Sequence, residues 1–441
     1  MHPARGKLRF TPTPKKKESK TVQMRDLNAP RRLNEDFLKY VKSDDCSDEH
    51  LLGLNDLSPF LDINFPVVSG FSIDAMHTMY AGCLRRRLIG IVSLTTEGKL
   101  NSTSLAAVNT RLKLFEKCKP SEFERHVRSL SNCIEKYKMH ELRDILMYNL
   151  FPVFSGILQG NQLENIMLLQ YGMLLLGGFD PKPVPTADIL EATRVFKLYV
   201  QQIIDFGYPV RPTIHAIIHL PEDANNFECG VECQSAFLYE NFYRFFRRSL
   251  RSGSKPLEQY RNQLVRRSKY LLQTASDGTI LETGQQFKME VKKRELERSD
   301  RKIVLNFSIR NAKSDNPHKV MKFPEFSLSN MFPNNVCMLK NGKIVVCTDI
   351  VEYPKGSKIF SIVGFRFLTV ENAFATPYPS YKFKTHVVSK LDHAVDEWNV
   401  NSIMCKMYAM PLKLSDYGSL PDITVSLSSD KWFVTPVRHT L

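Results

Sequence analysis

Two groups of residues in this chain have types and spacings suited to chemistry. The first centres on Glu240 within Gln234–Gly253, QSAFLYENFYRFFRRSLRSG. Folded as a helix, this stretch gives Phe237, Phe242, Phe245 and Phe246 to an apolar side and Arg244, Arg247, Arg248 and Arg251 to a basic one, with Glu240 between them. A carboxylate beside guanidiniums suits a phosphodiester-handling site. The second group is a set of imidazoles. His215 and His219 are four apart, a spacing that one helical turn places on a shared face. Asp74 and His77 are three apart, across the expected start of another helix, and Cys229 and Cys233 could join His215 and His219 as zinc ligands. Plainer roles fit the same residues: a solvated basic helix face, two core histidines, a packing cysteine pair, and Asp74 as a helix cap.

Charge favours a polyanion as partner. The chain carries a formal net charge of +15, and from Arg244 to Lys269 nine Lys or Arg, among them Arg261, Arg266 and Arg267, face one acid, Glu258. Nucleic acid is the commonest intracellular polyanion. Residues 1–32 hold ten further Lys or Arg and four Pro, which predicts an extended, disordered basic arm for nuclear import or DNA-backbone contact. No apolar run reaches the roughly 18–20 residues of a membrane span, and no secretory leader follows the basic start. Nine unevenly spaced cysteines suit reduced thiols. The expectation is therefore a nuclear or cytoplasmic protein, neither secreted nor membrane-bound.

The elements that must position these groups are mostly helical. Gly70–Ile73 could end a strand. Helices are predicted after Asp74 (AMHTMYAGCLRRRLIGIVSL, with Arg85, Arg86 and Arg87), over Ser102–Phe115, Pro120–Leu130, His140–Leu158, Asn161–Leu176 and Ala187–Phe206, and through the Glu240 stretch. Residues 273–300 are polar and charged, as a linker would be. Beyond them come short β-branched and aromatic runs, from KIVLNFSI to KWFVTPV, with the hairpin dipeptide Asn341-Gly342 between two of them. This gives a basic arm over 1–32, a mostly helical body over 33–272, a linker over 273–300 and a small all-β domain, barrel or sandwich, over 301–441.

Four motifs occur in a fixed order: FSIDAMHTMYAGCLRRRLIG, KYKMHELRDILMYNLFPVFSGIL, RPTIHAIIHLPEDA and SAFLYENFYRFFRRSLRSGSKPLEQ. Together with LRFTPTPKKKESKTVQMRDLNAPRRLNEDF ahead of them, the chain over residues 7–441 resembles the CACTA (En/Spm-type) transposases and their animal relatives. The resemblance implies an α/β-derived, mostly helical fold: part of an RNase H-like core with a helical insertion, followed by the β-domain. It implies DDE chemistry, in which three carboxylates hold two Mg²⁺ ions. Glu240 matches the third carboxylate, with Glu141 of MHELRD as second choice. It also implies a structural Zn²⁺ site from Asp74, His77, His215 and His219, stapling the insertion to the core.

The family's first two catalytic aspartates, and a cysteine-pair element, lie upstream of the aligned region. Asp36, Asp44, Asp45 and Asp62 stand in no matching context. The expectation is thus a truncated or domesticated transposase that binds DNA without cutting it, with Arg244, Arg247, Arg248, Arg251, Arg261, Arg266, Arg267 and Lys269 on phosphates. Homo-oligomers are compatible with it. Mg²⁺ enters only if another subunit or a longer transcript completes the DDE site and restores a nuclease. A protein-interaction module built on the β-domain is the third alternative.

Overall fold

Periodic apolar residues make most of the described positions between 76 and 226 helical. The computed structural model describes residues 9–11, 21–29, 33–35, 59–93, 99–123, 126–177, 182–276, 306–310, 318–354, 357, 359–392, 394–412 and 431–438. A π-helical stretch, Met76–Leu84, runs directly into α1 (Arg85–Ser93). It is followed by α2 (Ser102–Lys117), the short α3 (Leu130–Cys133), α4 (Met139–Asp144), a second π-helical stretch Ile145–Asn149, and α5 (Leu150–Phe154). Then come α6 (Gly160–Leu175), α7 (Thr186–Asp205), α8 (Pro212–His215), a 3-10 turn Ala216–His219 and α9 (Leu220–Asn226).

Local chemistry sets the helix ends. The Asn101 side chain caps α2 by accepting from Ser104 N–H at 2.8 Å. At the other end of α5, the Arg111 guanidinium donates to the carbonyls of Pro152, Val153 and Ser155 at 3.3, 2.9 and 2.7 Å, which satisfies acceptors that the helix leaves open. Helix α6 is buried nearly all round, polar Asn165 and Gln170 included. Its Gly172 lies so close to α7 that an added Cβ would sit 2.2 Å from the Phe196 ring.

Three expectations about local structure need correction. Gly70–Ile73 is not a strand; Ile73 N–H is instead anchored to the Asp223 carboxylate at 2.6 Å. The described residues of the expected helix Pro120–Leu130 are not helical before Leu130, where α3 begins. The segment opens with a turn, and Arg128 is held by tertiary bonds: its N–H and guanidinium donate to Glu141, and its carbonyl accepts from Tyr137 Oη. Within residues 1–32, β1 (Arg9–Thr11) and β2 (Thr21–Gln23) pair antiparallel, with Phe10 opposite Val22. Met24 is buried, and its N–H donates to Val210 O at 2.9 Å.

The C-terminal region is antiparallel β-structure. A three-stranded sheet takes β3 (Asn306–Arg310), β4 (His318–Lys322) and β5 (Ser327–Ser329) in order. The larger sheet uses β6 (Val336–Leu339), β7 (Ile344–Glu352), β8 (Phe360–Asn372), β9 (His386–Leu391), β10 (Asp396–Asn399), β11 (Ile403–Pro411) and β12 (Trp432–Pro436). The order β8-β7-β6-β11-β12-β9 returns to β8, so six strands close into a barrel. The long β8 makes closure possible. Its residues 361–364 pair with β10 and its residues 367–372 with β9, end to end along one edge. Asn341-Gly342 turns β6 into β7, with Gly342 at φ +84°. Every second residue points inward: Val336, Met338, Ile344, Val346, Met407, Ala409, Trp432 and Val434 form the barrel core with Phe367, Val388 and Leu391.

Strands β11 and β12 are buried on both faces along most of their length. The outward residues lie on the helical body. Tyr408 Oη donates to Phe115 O at 3.1 Å, Phe433 stacks on Phe151, Tyr378 Oη donates to Gln170 Oε1 at 2.7 Å, and Tyr378 stacks on Tyr171. At the centre is Lys406, whose side chain is fully buried. Its ammonium donates to Glu122 Oε2, Ser327 O and Asn334 Oδ1, each at 2.6 Å. Burial lowers its pKa, and Glu122 works in the opposite direction. Glu122 Oε1 accepts Ser327 N–H at 2.8 Å, and Asn334 Oδ1 accepts Ser121 N–H at 2.8 Å. The chain divides into two compact units: Met1–Ser235 with Phe307–Met321 and Glu325–Leu441, and Ala236–Asn306 with Lys322–Pro324.

Candidate nucleic-acid interface

The second unit is built on two amphipathic helices, α10 (Ala236–Ser249) and α11 (Pro256–Ser276). Phe246 and Tyr260 hold them together, with ring centroids 4.3 Å apart. The turn between them is organised by one side chain that sequence inspection passes over. Gln259 Oε1 accepts the N–H of Arg251 at 2.7 Å and of Ser252 at 3.3 Å, while its Nε2 donates to Ser252 Oγ at 2.9 Å and to the Ser254 carbonyl. A glutamine four residues into α11 thus supplies both donors and acceptors to a turn that has no secondary structure to satisfy them.

Glu240, Tyr243, Arg247 and Arg248 line an open groove along α10. Arg247, Arg248 and Arg251 are exposed, as are Arg261 and Arg266 on α11. Arg244, Arg267 and Lys269 lie on the same two helices, but their side chains are outside the described residues. The expected apolar stripe is only partly visible: Phe237 and Phe246 are half-buried, and the Phe242 and Phe245 side chains are not described.

The other predicted site residues belong to the first unit. Asp74 caps the π-helical stretch, its two carboxylate oxygens accepting Met76 N–H at 3.0 Å and His77 N–H at 3.2 Å. The same carboxylate pairs with His77 Nδ1. His215 and His219 are neighbours, with ring centroids 5.5 Å apart. The His215 ring is buried, and burial lowers its pKa while the nearby Met24 backbone and Asp26 pull it upward. The structure therefore brings Asp74 to His77 and His215 to His219. Among the described residues, no three His, Cys, Asp or Glu side chains are placed to hold a metal ion. The expected zinc set is thus placed as two separate pairs rather than as one group. Cys229 does not complete it either; its sulfur accepts Gln234 Nε2 at 3.4 Å.

Glu141 has a structural position. Its carboxylate accepts Arg128 Nε at 2.9 Å, an Arg128 terminal nitrogen at 2.7 Å and Lys138 N–H at 2.8 Å. Burial pushes its pKa upward, but Arg128 and the Lys138 amide outweigh that, and the carboxyl sits below its usual range. Two of the three arginines on α1 are likewise internal. Arg87 is buried, donates to Gln162 and stacks over the Tyr208 ring at 4.8 Å, and Arg85 donates to Tyr137 O. Among the described residues, neither Glu141 nor Glu240 belongs to a group of three or more His, Cys, Asp or Glu placed to hold a metal ion, so the three-carboxylate set that a pair of Mg²⁺ ions needs is not assembled there.

Comparison with known proteins locates only the β region. A family model described as a domain of unknown function (DUF8592) matches residues 305–425. No curated protein matches the chain, and neither does any solved structure. Among the described residues, no helix is long and apolar enough to cross a membrane.

Proposed function

We propose that this chain is a transposase-derived DNA-binding protein in which the α10–α11 hairpin carries the phosphate contacts. The supporting observation is the exposure of Arg247, Arg248, Arg251, Arg261 and Arg266 on a two-helix unit whose turn is fixed by Gln259. Between Ala236 and Ser276 nine Lys or Arg face two acids. Glu258 is paired with Lys255 at 3.6 Å, which leaves the arginine face cationic. Such a face gives affinity for the sugar–phosphate backbone rather than for a base sequence. The groove brings guanidiniums and a phenol to Glu240, so the reading is binding without strand cleavage. The ordered motifs shared with CACTA transposases support descent from an RNase H-like nuclease, and a nuclear location follows from the ligand.

The test is fluorescence anisotropy of the full chain with labelled DNA over a salt series. Wild-type affinity is expected to fall linearly on a log–log plot. Arg247→Glu with Arg248→Glu should weaken binding and reduce the slope by roughly two, one counterion released per lost phosphate contact. Unchanged affinity and slope would make the basic helix a solvated surface and end this reading.

A further inference from the structure

We infer that α10 is a single-stranded nucleic-acid platform, on which unpaired bases stack against Tyr239 and Tyr243 while Arg247 and Arg251 hold the backbone. The inference rests on the DNA-binding reading and narrows it to a class of ligand.

Tyr239, Tyr243 and Arg247 recur every four residues on α10 and so form one ridge along it, with exposed Arg251 in the turn just beyond. The tyrosines are 65% and 62% exposed, far more than buried Tyr80, Tyr137 or Tyr199 in the other unit. They stand about 6 Å apart along the helix axis. Arg248 flanks the ridge and closes the groove in which Tyr243 lies. Two exposed rings in line with the Arg247 guanidinium, and a further guanidinium beyond the helix end, have a specific use. A base released from pairing offers a π-face to each ring, and its phosphates offer charge to the arginines. In a duplex those faces are already covered by neighbouring base pairs, so the phenols would contribute little there. A purely electrostatic surface has no use for the rings, and a purely apolar interface has none for the adjoining arginines; the pairing of rings with guanidiniums favours a ligand that is both aromatic and anionic. Glu240 adds an acceptor at the tyrosine end of the groove, suited to an exocyclic amine rather than to phosphate.

The experiment compares oligo-dT of about 16 nucleotides with a duplex of equal length. Each is titrated into the full chain at one salt concentration and followed by anisotropy. The variants are Tyr239→Ala with Tyr243→Ala, the same pair to Phe, and Arg247→Gln with Arg248→Gln. The expected result is a loss of roughly ten-fold or more in single-strand affinity for the alanine pair, with duplex affinity unchanged and the phenylalanine pair close to wild type. Weakening of both ligands by the arginine pair would show the shared phosphate contacts. If the alanine pair leaves single-strand affinity unchanged while the arginine pair weakens it, the stacking platform is overturned and phosphate binding stands. If the alanine pair instead turns a dimer into a monomer in sedimentation, with DNA affinity unchanged, the face belongs to a second copy of the chain and the inference falls. Absence of binding to either DNA would remove the DNA-binding reading itself.

Discussion

Replacing Lys406 with Met should be among the most damaging single changes to the β-barrel. The ammonium is fully buried and donates at 2.6 Å to Glu122, to the Ser327 carbonyl and to Asn334. Methionine keeps the stem but removes all three donors. Asn334 Oδ1 retains the Ser121 N–H and Glu122 retains the Ser327 N–H, but the buried Glu122 carboxylate loses the Lys406 ammonium. Removing one partner of a buried ion pair typically costs about 3–5 kcal/mol. The barrel reports on itself, because both tryptophans lie in its sheet: Trp432 in the barrel core and Trp398 on the flanking strand β10. Urea unfolding followed by tryptophan emission should therefore show a midpoint lower by about 1.5–2.5 M, for a slope of about 2 kcal/mol per molar. Adding Glu122→Gln to Lys406→Met removes the stranded charge and should recover about 1–3 kcal/mol relative to the sum of the two single changes. Strict additivity, or a Lys406→Met midpoint within about 0.2 M of wild type, would refute the view that the ammonium and the carboxylate act as one unit.

Three other outcomes follow from the same structure. Burial, with help from Glu222 and against the Ile73 N–H, raises the Asp223 pKa from 3.8 to about 6. The folded state then binds more protons than the unfolded state between those values, so stability should fall by up to about 3 kcal/mol as pH rises through that window. Asp223→Asn keeps an oxygen for Ile73 and should flatten that slope; an unaltered pH dependence in denaturant melts would contradict the assignment. Gln259→Ala should free the amides of Arg251 and Ser252, losing about 1–2 kcal/mol of local stability and speeding their hydrogen exchange by roughly ten-fold; unchanged exchange would mean that the turn holds itself. Asp74→Ala should lower stability by about 1–2 kcal/mol through loss of the cap, with Asp74→Asn close to wild type. Equal thermal melts for all three proteins would show the cap to be idle.

Much of the architecture was legible because single elements obey single-element rules. The apolar period marks α2, α6 and α7 to within two residues, and Asn341-Gly342 marks the β6–β7 hairpin. What escaped depends on partners distant in sequence. Pro120–Leu130 carries a helical pattern, yet Glu141 and Tyr137 hold Arg128 outside a helix. Arg85 and Arg87 look like surface charge until Tyr137 O and Gln162 are seen opposite them. The sequence of β11 does not say what covers its second face, which only the positions of Phe115 and Glu122 explain. At the candidate interface the arginine stripe was evident from spacing alone. Gln259 was not, since a glutamine early in a helix is ordinary and its five-residue reach to the Ser254 carbonyl is a property of the turn.

The doubly covered β11 and β12 also constrain how this chain can diverge. A barrel with a solvent face can change that face freely, but here Lys406, Tyr408 and Phe433 answer to Glu122, Phe115 and Phe151. Drift at one set must be matched at the other, so the two regions are inherited as a linked pair. Among chains that share the domain matched over residues 305–425, those with a different helical companion should keep the inward-facing positions and rewrite the outward ones. A sequence alignment of such chains would then separate barrel from companion by which parity of β11 varies.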